Sequence, residues 1–131
     1  MNKAVSIFLL IISWSSSFAQ TQGQERIDSL LTELPTSNDD SNKVNILIDL
    51  SFNYNSIDPD EGIKYGRQAL GLSEKLNWKK GIADANRTIG VNYCYGKSEY
   101  ATSIEYFLKS LSLYEYMWRF PHIQYIHNIF F

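Results

Sequence analysis

Apolar residues along this chain recur mostly at three- and four-residue intervals, broken by short polar stretches, so the pattern predicts helices throughout. Ile27, Leu30, Leu31 and Leu34 mark one short amphipathic helix from about Glu25, and Pro35 stops it. A helix this short is not stable alone, so its apolar face must lie on another element. Thr36 to Asn42 is polar and reads as a loop ending in an N-cap. Val44, Leu47, Ile48, Leu50, Ser51 and Tyr54 then give the inner face of a helix from about Lys43 to Asn55.

Asp58-Pro59-Asp60-Glu61 starts the next helix. Asp58 is placed to cap, Pro59 fits the first helical position, and Glu61 sits where it can bond back to the cap. That helix runs to about Leu76, with Gly62, Ile63, Gly66, Ala69, Leu70 and Leu76 facing inward. Trp78-Lys79-Lys80-Gly81 turns the chain into a helix carrying Ile89, Gly90 and Tyr93. Gly96-Lys97-Ser98 breaks it, Ser98 is the expected cap, and a last full helix spans Glu99 to about Glu115. Two ligand motifs fail. Asp58-x-Asp60-x-Gly62 lacks the Gly and the Glu of a calcium loop, with Ile63 and Ala69 in their places. Gly66 to Gly71 has the spacing of a phosphate loop, but Leu72-Ser73 follows where Lys and Ser or Thr are required.

The plan repeats. Leu50 and Ile89 are 39 residues apart, while Gly62 and Ser103, and Ala69 and Ser110, are each 41 apart. A period near 40 built from helix-turn-helix units is the signature of a helical-repeat array. Ile89-Gly90-Val91-Asn92-Tyr93 with Tyr100, Ser103, Phe107 and Ser110 resembles the tetratricopeptide repeat (TPR), and Leu50 to Tyr54 with Gly62, Gly66 and Ala69 is the earlier copy. Small residues at Ser51/Gly90 and Gly62/Ser103 would let helices approach closely, with Tyr54, Tyr93 and Phe107 filling the space between them. The unit departs from the 34-residue form. Its second helix is longer, its loops differ by a residue in each copy, and the closing Pro is missing. It looks like the longer variety found in exported bacterial sensory and scaffold proteins. The resemblance implies an all-α fold: antiparallel helix-turn-helix repeats over 43–115 (43–77 and 80–115) forming a short right-handed solenoid. Residues 20–42 form a polar linker with the short helix.

Composition narrows the rest. Lys3, the apolar run Ala4 to Trp14, and the small residues Ser17 and Ala19 are the pattern of a signal peptide over 1–19, too short to span a bilayer. The expected product is an exported protein of about 112 residues, periplasmic or extracellular, one small domain in size. A net charge of −2 and a pI near 5.6 argue against nucleic acid. Cys94 is the lone cysteine, so no internal disulfide forms, and it is read as a small packing residue.

Residues 116–131 break the pattern: aromatic, without acids, interrupted at Phe120-Pro121-His122 and ending in Ile129-Phe130-Phe131. Three readings stay open: a longer repeat protein truncated or out of frame after Tyr114 or Glu115, an improvised cap, or a segment against a membrane. The composition favours the first. His122 and His127 are five apart, which does not suit a metal on one helix face.

In the resembled family the first helices of each pair line a concave surface that holds a peptide or protein. This implies Asn45, Ile48, Phe52 and Asn55, with counterparts Asp84, Arg87, Val91 and Tyr95, as partner-binding residues. The Lys and Asn set that clamps a terminal carboxylate in some chaperone-binding relatives is missing. No nucleophile elbow, zinc motif, dinucleotide loop or paired carboxylates point to catalysis, cofactor or metal, and the sequon Asn86-Arg87-Thr88 is incidental. The sequence therefore predicts a non-enzymatic, exported protein-binding module. The alternative is the extracytoplasmic sensory part of a membrane signalling protein such as a TPR-containing histidine kinase, attached through a missing C-terminal part. Two repeats are fewer than such arrays need, so low stability or self-association through unpaired repeat ends is expected. Thermal unfolding followed by circular dichroism should give a broad or concentration-dependent transition; a sharp, concentration-independent one contradicts this.

Overall fold

The computed structural model describes residues 22–130, with side chains to Pro121, and the described residues form helices and turns without strands. The expected signal peptide over 1–19, and the side chains of His122 and His127, lie outside the described residues.

Five helices follow one another: α1 (22–33), α2 (Ser41–Asn53), α3 (Pro59–Lys75), α4 (Lys79–Val91) and α5 (Tyr100–Phe130). The boundaries follow local chemistry. Pro35 lies in a 3₁₀ turn, Leu34–Thr36, that closes α1. The Asp40 carboxylate accepts from the amides of Asn42 (2.8 Å) and Lys43 (3.3 Å) and so caps α2. Asp58 caps α3 through the amide of Glu61, 3.2 Å away. Only half of the expected capping box forms, because the Glu61 carboxylate takes the Lys64 ammonium instead. At the end of α3, Trp78 N–H donates to Ser73 O and Asn77 N–H to Glu74 O, with Asn77 left-handed at φ 51°. This is a Schellman closure, with Asn in the place glycine usually fills.

Helices α2 and α3 form one hairpin, and α4 and α5 a second, built on matching contacts. Tyr54 stacks on Tyr65 with ring centroids 5.6 Å apart, and 39 and 41 residues on, Tyr93 stacks on Tyr106, also at 5.6 Å. In the first hairpin Gly66 sits beside Ser51 and Ile89; in the second, Gly90 sits beneath the Phe107 ring. Each close approach thus has one side without a side chain, the role read for these small residues.

Tyr93 and Tyr106 are two residues further apart in sequence than Tyr54 and Tyr65, and the turn between the helices takes up most of the difference. After α2 the chain makes a 3₁₀ turn, Tyr54–Ser56; after α4 it makes a π turn, Asn92–Gly96. A π turn holds more residues per revolution than a 3₁₀ turn, so the longer copy widens its coil and keeps the tyrosine stack in register. Ser98 is not the cap of α5. It is left-handed at φ 56°, and the helix starts from Glu99, whose carbonyl accepts from Ser103 N–H.

Helix α1 explains the one inward residue that the periodicity of α2 misses. Ile46 joins Ile27, Leu30 and Leu50 in a cluster between α1 and α2, while Val44, Leu47 and Ile48 pack with Ala69 and Ala85 on the other side. Helix α2 is therefore covered on two faces. Helix α5, expected to stop near Glu115, continues to Phe130 with Pro121 inside it. The Lys79 ammonium lies 4.7 Å from the Tyr116 ring centre, so packing against the start of α4 extends past Glu115. Among the described residues no helix is long and apolar enough to cross a membrane.

Two glycines of α3 should respond oppositely to alanine. A Cβ at Gly66 would lie 2.6 Å from Ile89 Cγ1, in a fully buried, β-branched side chain with no room to yield, whereas Gly71 faces open space. Gly66→Ala should cost about 1–3 kcal/mol by overpacking, and Gly71→Ala should gain about 0.5–1 kcal/mol, both read from urea unfolding.

Candidate functional site

The strongest polar knot in the fold lies where α2, α3 and α4 meet. Asn92 is wholly buried, and its amide nitrogen lies within hydrogen-bond reach of Ser51 O (2.9 Å), Thr88 O (2.9 Å) and Ser51 Oγ (3.3 Å). Three acceptors around one atom fix which end of the side chain is nitrogen. Its oxygen has no hydrogen-bond partner and lies against Gly62, where any Cβ would collide with it. The knot ties the C-terminal ends of α2 and α4 side by side. The 3₁₀ and π turns that follow also touch, with Gly96 packed on Pro59 and on the carbonyl of Asn55.

This junction presents part of the surface expected from the sequence. Phe52 is 48 % exposed and Tyr95 77 % exposed. Asn45 and Arg87 are exposed, and Asn55 and Val91 are half-buried. Two of the eight residues are placed elsewhere. Ile48, only 8 % exposed, belongs to the core around Val44 and Ala69. It lies on α2 where the face toward α4 and the face toward solvent meet, and burial of an isoleucine decides between them.

Asp84 is the second. Its side chain, 13 % exposed, pairs with Lys80 at 2.7 Å and with Arg87 at 3.8 Å, and accepts the hydroxyl of Tyr114 from α5. Burial raises the Asp84 carboxyl, but hydrogen bonds from Lys80 and Tyr114 and the charges of Lys80 and Arg87 outweigh it and hold it below the ordinary carboxylate value. The same contact, with burial the larger cause, pushes the Tyr114 hydroxyl above the usual tyrosine range. Asp84 is thus a pin between α4 and α5.

A groove elsewhere on the surface has no counterpart in the sequence reading. Leu70 and Glu74 of α3, Ile82 and Asn86 of α4, and Tyr106, Lys109, Ser112 and Leu113 of α5 line a groove of about 430 Å³. Asn86, 4 % exposed, donates to the Ile82 carbonyl at 2.8 Å. That burial removes the sequon asparagine from the surface. The groove draws on three consecutive helices whose lining residues span Leu70 to Leu113, and no local motif announces it. Cys94 is half-buried in the π turn. Among the described residues no cluster of three or more His, Cys, Asp or Glu could hold a metal ion. No family model, no curated protein and no solved structure matches this chain.

Acid should loosen the α4–α5 contact. The folded-state pKa of Asp84 lies below its unfolded value, so its contribution is present above the unfolded pKa of about 3.9 and is lost as pH falls through the folded one. Asp84→Asn should lower stability by about 1–3 kcal/mol near neutrality and flatten the decline below about pH 4. Urea midpoints of both proteins, measured across that range, check it; parallel declines would rule Asp84 out as the group.

Proposed function

We propose that this chain is an exported, TPR-like helical-repeat module that binds an extended peptide or a protein segment, without catalysis, along the exposed ends of α2 and α4. The observation that carries the reading is the duplicated tyrosine stack, at 5.6 Å in both hairpins. It supports two copies of one supersecondary unit, the organisation that yields an extended recognition surface in repeat proteins.

The contact chemistry follows from what is exposed. Phe52 and Tyr95 offer rigid aromatic area at little entropic cost, and Asn45, Asn55 and Arg87 supply hydrogen-bond donors for a peptide backbone. Asp84 acts here indirectly: by pairing with Arg87 it restrains the guanidinium that faces the partner. Ile48 shapes the surface from beneath.

Peptides selected from a random displayed library against the chain should bind at this surface. Phe52→Ala and Tyr95→Ala should each weaken the selected peptides by about tenfold or more. As exposed residues, both should leave stability within about 0.5 kcal/mol. Titration calorimetry with thermal melts checks both parts; undiminished binding in the double variant would refute this surface.

A further inference from the structure

Helix α5 outruns the helix it packs on. The pair is antiparallel: Gly90 lies beneath Phe107, Asp84 accepts from Tyr114, and the Lys79 ammonium lies over the Tyr116 ring. Lys79 is the first residue of α4, yet α5 continues to Phe130. Met117 to Phe130 adds about 21 Å of helix at the helical rise, past the end of its partner.

This extension is aromatic and almost free of charge. No Asp or Glu follows Glu115, Arg119 is the only Lys or Arg, and six of the sixteen residues from Tyr116 to Phe131 are Phe, Tyr or Trp. The aromatics at its root are exposed on opposite sides. Tyr116 and Phe120, four apart, share a face with ring centres 5.3 Å apart and are 45 % and 53 % exposed. Trp118 lies about 160° round the helix from each and is 69 % exposed.

A partner helix or a groove covers one side of a helix, and would leave either Trp118 or the Tyr116–Phe120 pair in water. A medium that surrounds the helix covers both sides at once. The headgroup layer of a membrane is such a medium: water and hydrocarbon mix there, and Trp and Tyr are enriched in it. Lys79 and Arg119, both exposed, flank these rings with charge of the sign that lipid phosphates attract.

We propose that α5 from Tyr116 onward is an interfacial membrane anchor, seating Tyr116, Trp118 and Phe120 among the headgroups of a lipid surface, with Lys79 and Arg119 toward its phosphates. The rings supply the attachment, and the two bases add a preference for anionic lipid. The anchor lies at the start of α4, the opposite end of that helix from Tyr95. The peptide-binding surface therefore stays clear of the membrane, and either reading can fail without the other.

The full-length chain should sediment with neutral phosphatidylcholine vesicles, and bind several-fold more tightly when about a quarter of the lipid is phosphatidylglycerol. Trp118→Ser with Phe120→Ser should weaken binding to neutral vesicles about tenfold or more. Lys79→Gln with Arg119→Gln should abolish only the preference for anionic lipid. In a Trp14→Phe background, bromine-labelled lipid should quench the tryptophan fluorescence, and Trp118→Phe should remove that quenching while the chain stays bound. Far-UV circular dichroism establishes that each variant is folded. A chain that self-associates or stays in the supernatant instead of sedimenting with lipid would overturn the proposal. So would undiminished binding in the serine pair, an anionic preference that survives the glutamine pair, or quenching that survives Trp118→Phe.

Discussion

The fold depends on how closely its helices approach where side chains are missing. Gly62 receives the oxygen of Asn92, Gly66 receives Ile89, and Gly90 receives Phe107. At each place a neighbouring side chain lies where a Cβ would be, so the glycine lets that side chain seat against bare backbone and the helices close in. The Asn92 amide, held to Ser51 and Thr88, fixes the sliding position of α2 against α4 in a way that apolar contacts alone do not. Close packing sets the spacing and this buried amide sets the register.

Much of this is legible in the sequence. Asp40 and Asp58-Pro59 announce helix starts because capping is local chemistry, and the small residues announce close approach because few other roles explain them at such intervals. What escaped is non-local. Ile46 looks solvent-facing on a helix assumed to pack on one side, until α1 covers the other. Ser98 has the composition of a cap, but the π turn before it carries the chain into a left-handed residue and hands the start of the helix to Glu99.

The candidate surface divides for the same reason. Phe52 and Tyr95 emerge as helical spacing suggests, since nothing in the fold competes for them. Asp84 has a competitor in Tyr114, thirty positions away, and a nearly buried carboxylate settles on the partners that offset its desolvation. The groove beside Asn86 needs three helices before it exists. Spacing within one helix predicts which residues share a face, but partners on other helices decide whether that face stays open.

The exchange of a 3₁₀ turn for a π turn bears on how such a chain can change. Two residues are gained between equivalent positions, yet the tyrosine stack beyond them keeps its separation. The junction behaves as an expansion joint: the added length is shared between a wider coil and a longer link through left-handed Ser98. Repeats joined in this way can drift in length without losing their fit, and the unit is held constant by its contacts rather than by its count of residues.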